Sequence, residues 1–176
     1  VPYGTITTIS ESPLRPGLLY VGTDDGRVWI TRNDGAQWTE AGRGLPHKWI
    51  SRVVASGHAA GTAYVTLTGY RENDYPPYIF KTADFGETWQ PIAAGLPDEQ
   101  VNVIREDPRS AVTLYIGTDQ GGVYVSKNGG TSWISMCANL PPAPVHDIAI
   151  HARDREMVIA THGRSIFKVD LAPVQD

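Results

Sequence analysis

Short stretches in which apolar and polar residues alternate recur along the whole chain, and residues that favour turns separate them. This alternation is typical of β-strands that bury one face. The first part of the chain predicts four such strands, at residues 6–11, 18–23, 27–32 and 37–41. Turn residues lie between them, namely Pro13 with Gly17, Asp25 with Gly26, and Asp34 with Gly35. We therefore expect a four-stranded antiparallel meander.

A hairpin motif recurs three times, with a period of about 44 residues between units. Each copy has a hydroxyl residue, then Asp or Asn, then Gly, then Trp, and Leu-Pro follows it. The copies comprise Thr31, Asn33, Gly35 and Trp38; Thr82, Asp84, Gly86 and Trp89; and Ser126, Asn128, Gly130 and Trp133. We predict that the Asp or Asn accepts backbone N–H groups of the turn and that the Gly adopts a φ other residues resist. The Trp is predicted to bury its ring against the neighbouring sheet.

A four-stranded meander that repeats at this period is a blade of a β-propeller. The sequence predicts an all-β fold in which residues 1–176 form one partial propeller domain. Its four blades fall at approximately 5–44, 49–95, 100–140 and 145–176, and the last lacks its outer strand. Blades at both ends of an open set expose apolar faces. We therefore expect the chain to be part of a larger propeller or to associate with copies of itself.

Composition narrows the classes of partner. A formal net charge of −4 and the lack of any Lys/Arg-rich stretch argue against nucleic acid. No apolar run is long enough to predict membrane insertion. The single cysteine, Cys137, excludes an internal disulfide and is predicted to be buried packing after the third hairpin. No pair of histidines has metal-ligand spacing and Cys137 stands alone, so we expect neither a metal nor a cofactor.

The repeated hairpins resemble the BNR/Asp-box repeats of sialidases, xyloglucan-degrading glycoside hydrolases and sortilin-type receptor propellers. The chain is most similar to bacterial sortilin-like or glycosyl hydrolase BNR-repeat proteins. The resemblance rests on the segment 20–26, the three hairpins and the segment 159–167. Asn33 and Asn128 depart from the usual Asp, but Asn can accept the same bond. The resemblance implies a secreted or periplasmic protein, and it occurs in enzymes and receptors alike, so function has to be argued from a site.

Loops between the second and third strands of each blade, together with the links between blades, should lie on one face of the propeller. The most individual feature of this face is an insertion at 69–77, where Tyr70, Arg71, Asp74 and Tyr75 offer the aromatic rings and charges that sugar or peptide ligands commonly contact. The alternative to a ligand-binding role is a proline-braced hairpin that only extends two strands. His162 with Arg164 has a similar alternative, the bracing of a tight loop. The candidate ligand-binding residues on this face are Asp25, Trp49, Tyr70, Arg71, Tyr75, Asn102, Asp119, His146, His162 and Arg164.

Asp24 and Asp74 are the candidate catalytic carboxylates, because glycosidases use pairs of carboxyl groups. Asp24 with Asp25 equally marks a turn. The clustered arginines of a sialidase are not recognisable, because the candidates lie on separate blades: Arg52, Arg71, Arg105 and Arg164.

Three functions are consistent with these patterns. The first is a non-catalytic binding or scaffold module of a larger Asp-box propeller protein, with a glycan or a peptide as ligand. The alternative is one wall of the active-site cleft of a sialidase- or xyloglucanase-like glycoside hydrolase. A third is an assembly platform for a partner protein.

Overall fold

The computed structural model of the chain describes residues 3–136 and 140–176, and Cys137 lies outside them. It contains three four-stranded antiparallel sheets and one three-stranded antiparallel sheet. Strands that are consecutive in the chain are neighbours in each sheet, so every sheet is a simple meander. No helix in these two ranges is long and apolar enough to cross a bilayer.

The first two sheets are called blades 1 and 2. Blade 1 is formed by β1 (Ile6–Glu11), β2 (Leu19–Thr23), β3 (Val28–Thr31) and β4 (Thr39–Glu40). Blade 2 is formed by β5 (Trp49–Ala55), β6 (Ala63–Gly69), β7 (Asp74–Thr82) and β8 (Gln90–Pro91). The fourth strand of blade 1 is shorter than the sequence predicts, because only two residue pairs join it to the third.

The next two sheets are blades 3 and 4. Blade 3 is formed by β9 (Val101–Asp107), β10 (Ser110–Thr118), β11 (Val123–Ser126) and β12 (Ile134–Ser135). Blade 4 is formed by β13 (Val145–His151), β14 (Glu156–Thr161) and β15 (Ile166–Asp170). The prediction of an all-β set of blades with an incomplete last blade is confirmed.

One short helix was not predicted from the sequence. Helix α1 (Ala172–Gln175) follows blade 4, with a proline in its first turn, where the missing proline N–H would have no helical partner. Leu171 is buried just before it, and the Arg155 guanidinium donates to the Ala172 carbonyl at 3.0 Å. The burial of Leu171 and the bond from Arg155 stabilise this segment. Both depend on residues outside the four-residue helix, so its sequence alone does not predict it.

Successive blades are joined through their first strands, with β1 beside β5, β5 beside β9, and β9 beside β13. A polar side chain near the start of each strand donates to a backbone carbonyl of the next blade. The bonds run from Thr7 to Ile50 at 2.7 Å, from Ser51 to Val101 at 2.9 Å, and from Asn102 to Val145 at 3.2 Å. These polar positions therefore join the blades.

Apolar side chains fill the spaces between the blades in three clusters. Blades 1 and 2 share a cluster that includes Tyr20, Val28 and Val65. The other two lie between blades 2 and 3, and between blades 3 and 4. Each cluster combines residues from two adjacent sheets, so the core is a series of inter-blade layers.

The three hairpins contain the same hydrogen bonds. In blade 2, the Thr82 hydroxyl accepts from the Gly86 N–H at 2.9 Å and donates to the Asp84 carboxylate at 2.7 Å. The carboxylate also accepts from the Thr88 N–H at 2.9 Å. Equivalent bonds form in blades 1 and 3, and all three glycines have positive φ, between 84° and 91°. The network explains why a hydroxyl residue opens each motif.

The three tryptophans differ in their contacts with a neighbouring blade, and the prediction that each buries its ring is wrong for Trp38. The Trp89 indole N–H donates to the Ala41 carbonyl of blade 1 at 2.6 Å, and the Trp133 indole donates to the Ile92 carbonyl of blade 2 at 2.8 Å. Trp38 is 41% exposed. Trp89 and Trp133 are partly buried, and each packs on the preceding blade, whereas no described blade precedes blade 1.

Candidate functional site

The loops between second and third strands lie on the same face as the links between blades. In three blades the first loop residue donates its N–H to a carbonyl of the incoming link. The bonds run from Asp24 to Thr5 at 2.9 Å, from Asp119 to Gln100 at 3.1 Å, and from His162 to Pro144 at 2.8 Å. The face that was predicted to bind ligands therefore consists of paired loops and links.

A cleft of about 230 Å³ opens on this face between blades 2 and 3. Tyr70 and Tyr75 form one side and are 64% and 44% exposed. The opposite side is formed by the link and loop of blade 3: Asp98, Glu99, Gln100, Asp119 and Gln120. Three of the predicted ligand-binding residues, Tyr70, Tyr75 and Asp119, line this one cleft.

Two buried side chains hold the walls of the cleft in place. The Gln100 amide donates to the Asp74 carbonyl at 2.8 Å, which ties the blade 3 link to the insertion. The Glu99 carboxylate accepts from the N–H groups of Gln120 and Gly121, at 3.0 and 2.6 Å. The cleft is thus pre-formed, although neither Glu99 nor Gln100 was selected from the sequence.

Two carboxylates remain available in the cleft. Asp98 is exposed and has no hydrogen bond or ion pair within residues 3–136 and 140–176. Asp119 accepts from the Asn102 amide at 2.7 Å through one of its two oxygens. Asn102 was predicted to bind ligand, and here its amide orients Asp119 and joins blades 3 and 4.

The insertion forms a hairpin, as its structural alternative predicts, and two of its tyrosines line the cleft. A 3₁₀ turn at Tyr70–Glu72 leads into the long strand β7, and Gly69 pairs with Asp74 across the hairpin. The Arg71 guanidinium lies 3.8 Å from the centre of the Trp49 ring. Arg71 and Trp49 therefore contact each other, and neither lines the cleft.

Asp74 is held in its ionised form. The Lys48 ammonium lies 2.6 Å from its carboxylate, and the Tyr78 hydroxyl donates to it at 2.7 Å. The bond from Lys48, and then the one from Tyr78, lowers the pKa of Asp74. A glycosidase acid needs a raised pKa, so this environment does not suit proton donation.

Asp24 stabilises the loop structure around it through hydrogen bonds with the backbone. Its carboxylate accepts from the Thr5 N–H at 2.8 Å and from the Tyr3 N–H at 3.3 Å. Burial acts to raise the pKa of Asp24, but these backbone bonds outweigh it and the pKa is lowered. Asp25 forms an ion pair with Arg27 at 3.2 Å. Both side chains hold the β2–β3 turn and the link that enters blade 1.

A charged cluster on the first strands was not predicted from the sequence. Asp147 in β13 lies 2.6 Å from Arg105 of blade 3 and 3.3 Å from Arg52 of blade 2. Arg52 and Arg105 were regarded as scattered because they lie on separate blades. Adjacent first strands bring them to one carboxylate, and only the register between blades could have revealed this.

The remaining candidates lie in blade 4 and do not line the cleft. The rings of His146 and His162 are 5.3 Å apart between centroids, and Arg164 is exposed on the same loop as His162. No group of three or more His, Cys, Asp or Glu side chains that could hold a metal occurs in the described ranges.

Meander blades joined through their first strands, with loops and links on one face, define a β-propeller. The model of the Sortilin-Vps10 family (Sortilin, neurotensin receptor 3) matches residues 77–172, which is more than half of the chain. The chain belongs to this family.

Individual relatives span only short stretches or share the fold alone. Photosystem II stability/assembly factor HCF136 of Arabidopsis thaliana is 35% identical over 60 residues, which cover 33% of this chain and 14% of that protein. The GH74 xyloglucanase from Xanthomonas campestris matches 96% of this chain and 29% of its own, with 15% identity and a TM-score of 0.75. The β-propeller domain of Cps50 (Swd1) from Myceliophteria thermophila has 14% identity, a TM-score of 0.72 and coverages of 97% and 53%. The chain therefore spans less than a third of the factor and of the xyloglucanase.

Proposed function

We propose that this chain is a non-catalytic ligand-binding module of a larger Asp-box propeller protein. The ligand, a glycan or a peptide, binds in the cleft between Tyr70 and Tyr75 on one side and Asp98 and Asp119 on the other. One observation carries the proposal: two tyrosines are exposed beside two carboxylates in a cleft whose walls are already fixed. Aromatic rings offer apolar contact area at little conformational cost, which suits recognition of either ligand.

The charges of the cleft support this assignment. Carboxylates accept hydrogen bonds from sugar hydroxyls and from peptide amide or ammonium groups, and such charge-assisted bonds are strong. Glu99 and Gln100 are already bonded to the protein, so they position the walls and leave Asp98 and Asp119 for the ligand. Pre-formed walls lower the ordering cost of binding.

Binding arrays test the proposal. The full chain should be applied to a glycan array and a peptide array, and its best ligand titrated against variants. Tyr70→Ala and Tyr75→Ala should each weaken binding by about tenfold, because each removes a ring face from the cleft. Tyr3→Ala is the matched control, since Tyr3 is an exposed tyrosine outside the cleft lining. The proposal fails if neither array shows a ligand, or if Tyr3→Ala weakens binding as much as the cleft variants.

A glycoside hydrolase wall is the second candidate, favoured by Asp98 and Asp119, the two carboxylates that face one cleft. It predicts that the parent protein hydrolyses β-glucans or sialosides, and that Asp98→Asn or Asp119→Asn abolishes this activity. Full activity in both variants would reject the candidate. The lowered pKa of Asp24 and of Asp74, the two carboxylates selected from the sequence, argues against either as the acid and favours the binding module.

A further inference from the structure

The cleft between blades 2 and 3 is negatively charged. Its lining includes the carboxylates of Asp98, Glu99 and Asp119, and no Lys, Arg or His among the residues that the structure describes. The Glu99 carboxylate accepts from two backbone N–H groups and from the Tyr124 hydroxyl at 3.2 Å, which are neutral donors. None of the three carboxylates forms an ion pair within residues 3–136 and 140–176.

The insertion that forms one side of the cleft holds two cations, and both have partners of their own. The Lys48 ammonium lies 2.8 Å from the Glu72 carboxylate and 2.6 Å from that of Asp74. The Arg71 guanidinium lies 3.8 Å from the centre of the Trp49 ring. Both cations are therefore occupied outside the cleft, and its charge is left for a ligand.

Two exposed rings, those of Tyr70 and Tyr75, lie beside these carboxylates. The face of an aromatic ring attracts an ammonium or guanidinium group that lies within about 6 Å of its centre. Blade 2 already contains a contact of this kind, since the Lys48 ammonium lies 5.4 Å from the centre of the Tyr78 ring. Rings and carboxylates thus favour the same ligand group, which is an organic cation.

A neutral ligand suits this environment less well. Covering a carboxylate removes it from water, which costs free energy unless an opposite charge or strong hydrogen bonds compensate. The hydroxyl groups of a neutral glycan are uncharged donors, whereas a guanidinium group combines several N–H donors with a positive charge. A metal ion is disfavoured as well, because no group of three His, Cys, Asp or Glu side chains that could hold one occurs in the described ranges.

The size of the cleft indicates how much of a ligand enters it. Its volume of about 230 Å³ lies below that of pockets which enclose a whole drug-sized molecule, about 300–1,000 Å³. One long side chain of a larger partner fits such a space, and the rest of the partner then lies across the loop face. A peptide that carries the cation therefore fits better than a large free molecule.

We propose, building on the binding function proposed above, that the ligand is a peptide whose arginine side chain enters this cleft. Its guanidinium group donates to the carboxylates of Asp98 and Asp119 and packs on the rings of Tyr70 and Tyr75. The Glu99 carboxylate adds negative charge from the wall behind them. The cleft therefore selects its ligand by charge.

The test compares two peptides that differ in charge: acetyl-Gly-Arg-Gly-amide, and the same peptide with citrulline, a neutral residue of nearly the same shape, in place of arginine. Each is titrated into the isotopically labelled full chain, and binding is followed from backbone amide signals in NMR spectra. We expect the arginine peptide to shift the signals of Gln100, Gln120 and Gly121 saturably, with a dissociation constant of about 1 mM or lower. The citrulline peptide should bind about tenfold more weakly, because the charge-assisted bonds are lost.

Variants that remove one charge locate the site. Asp98→Asn and Asp119→Asn should each weaken binding of the arginine peptide by about threefold, since an ion pair near the surface contributes little, and should hardly change binding of the citrulline peptide. Asp34→Asn is the matched control, because Asp34 is exposed in the blade 1 hairpin, does not line the cleft, and has a φ of 56° that asparagine tolerates. It removes the same charge from the chain and should leave binding unchanged.

The outcomes separate this inference from the proposed function. Equal binding of the two peptides, equal loss in the cleft variants and in Asp34→Asn, or no saturable shift up to about 20 mM peptide would each reject a cation-selective cleft. If a neutral glycan or peptide from the arrays then bound in a manner sensitive to Tyr70→Ala and Tyr75→Ala, the binding function would stand and only the cationic ligand would be wrong. If the arrays showed no ligand and the arginine peptide caused no shift, both proposals would fail.

Discussion

Blade 1 and blades 2 and 3 carry the same pattern of side chains, yet one face of blade 1 differs from theirs. Ile6 and Ile9 of blade 1 are 62% and 60% exposed. Residues at the corresponding positions are almost completely buried against the preceding blade, namely Ile50, Val53, Val101 and Ile104. The local sequence therefore places apolar residues at these positions in every blade, but they are buried only where another blade packs against them.

This comparison separates two kinds of interaction. The hairpin hydrogen bonds are complete in all three blades, including blade 1, because every partner lies within the hairpin. The tryptophan contacts are complete only in blades 2 and 3, because the partner lies in another sheet. An exposed apolar face of this kind is typical of a surface that another structure covers, which supports the proposal of further blades.

The largest expected difference concerns the tryptophans. Trp89→Ala should lower the free energy of unfolding by about 3 kcal/mol, because it opens a cavity between blades 1 and 2. Trp38→Ala should lower it by less than about 1 kcal/mol, because Trp38 is partly exposed and has no blade behind it. Urea denaturation followed by circular dichroism measures both. Similar losses in the two variants would show that the local hairpin, and not the neighbouring blade, sets the contribution of the ring.

Trp38 also shows where prediction from sequence ends. The repeat fixed the blade, the hairpin and the turn glycines, because these depend on residues close together in the chain. It assigned the same burial to three tryptophans, since nothing in the spacing of Trp38 distinguishes it from Trp89. The exposed position of Trp38 follows only from the order of the blades in space.

A second, smaller difference concerns three buried tyrosines at matching positions in the second strands. The Tyr64 hydroxyl donates to the Glu106 carboxylate at 2.9 Å, and the Tyr115 hydroxyl donates to Asp107 at 2.8 Å. The Tyr20 hydroxyl is buried without a hydrogen-bond partner in the described residues. Ala55 of blade 2 occupies the position that Glu106 has in blade 3, and it offers no side-chain acceptor.

Removal of these hydroxyls should therefore have opposite consequences. Tyr64→Phe should lower the free energy of unfolding by about 1–2 kcal/mol, because a buried bond to a carboxylate is lost. Tyr20→Phe should be neutral or slightly stabilising, because an unsatisfied polar group is replaced by hydrogen. Thermal and urea unfolding of the two variants provide the check. Destabilisation by Tyr20→Phe of the same size would contradict the orphaned state of its hydroxyl.

The candidate site was predicted less completely than the fold. The aromatic insertion was chosen as a candidate from the sequence because Tyr70 and Tyr75 have no counterpart in the repeat, and Asp119 was chosen because it lies in the equivalent loop of blade 3. Asp98, Glu99 and Gln100 were placed on this face with the other links but were not chosen as binding residues, because a link between blades looks like any other polar turn until its partners are known. The cleft depends on bonds between residues far apart in the chain, such as Gln100 with the Asp74 carbonyl.

The smallest expected effect concerns the hairpins themselves, which should behave alike in every blade. Hydrogen bonds from the Thr88 hydroxyl, then from the Thr88 N–H and the Thr82 hydroxyl, lower the pKa of Asp84 to about 2. An unfolded Asp titrates near about 3.9. Because the folded pKa is the lower one, the stabilisation is present above about pH 4 and disappears as the pH falls towards about 2.

Blade 1 offers the reciprocal variant, since Asn33 stands where blade 2 has Asp84 and accepts from the Thr31 hydroxyl and the Gln37 N–H. The bond from the Thr88 hydroxyl has no counterpart there, because Gln37 occupies that position, so the change at Asn33 should be the smaller one. Asp84→Asn should flatten the dependence of unfolding free energy on pH between about 2 and about 5, and Asn33→Asp should steepen it. Urea titrations across this range measure both slopes. If Asn33→Asp left the slope unchanged while Asp84→Asn flattened it, the hairpin bonds would depend on the neighbouring blade after all. Changes of opposite sign, the one at Asn33 smaller, would show that the hairpin bonds form locally and do not depend on the neighbouring blade.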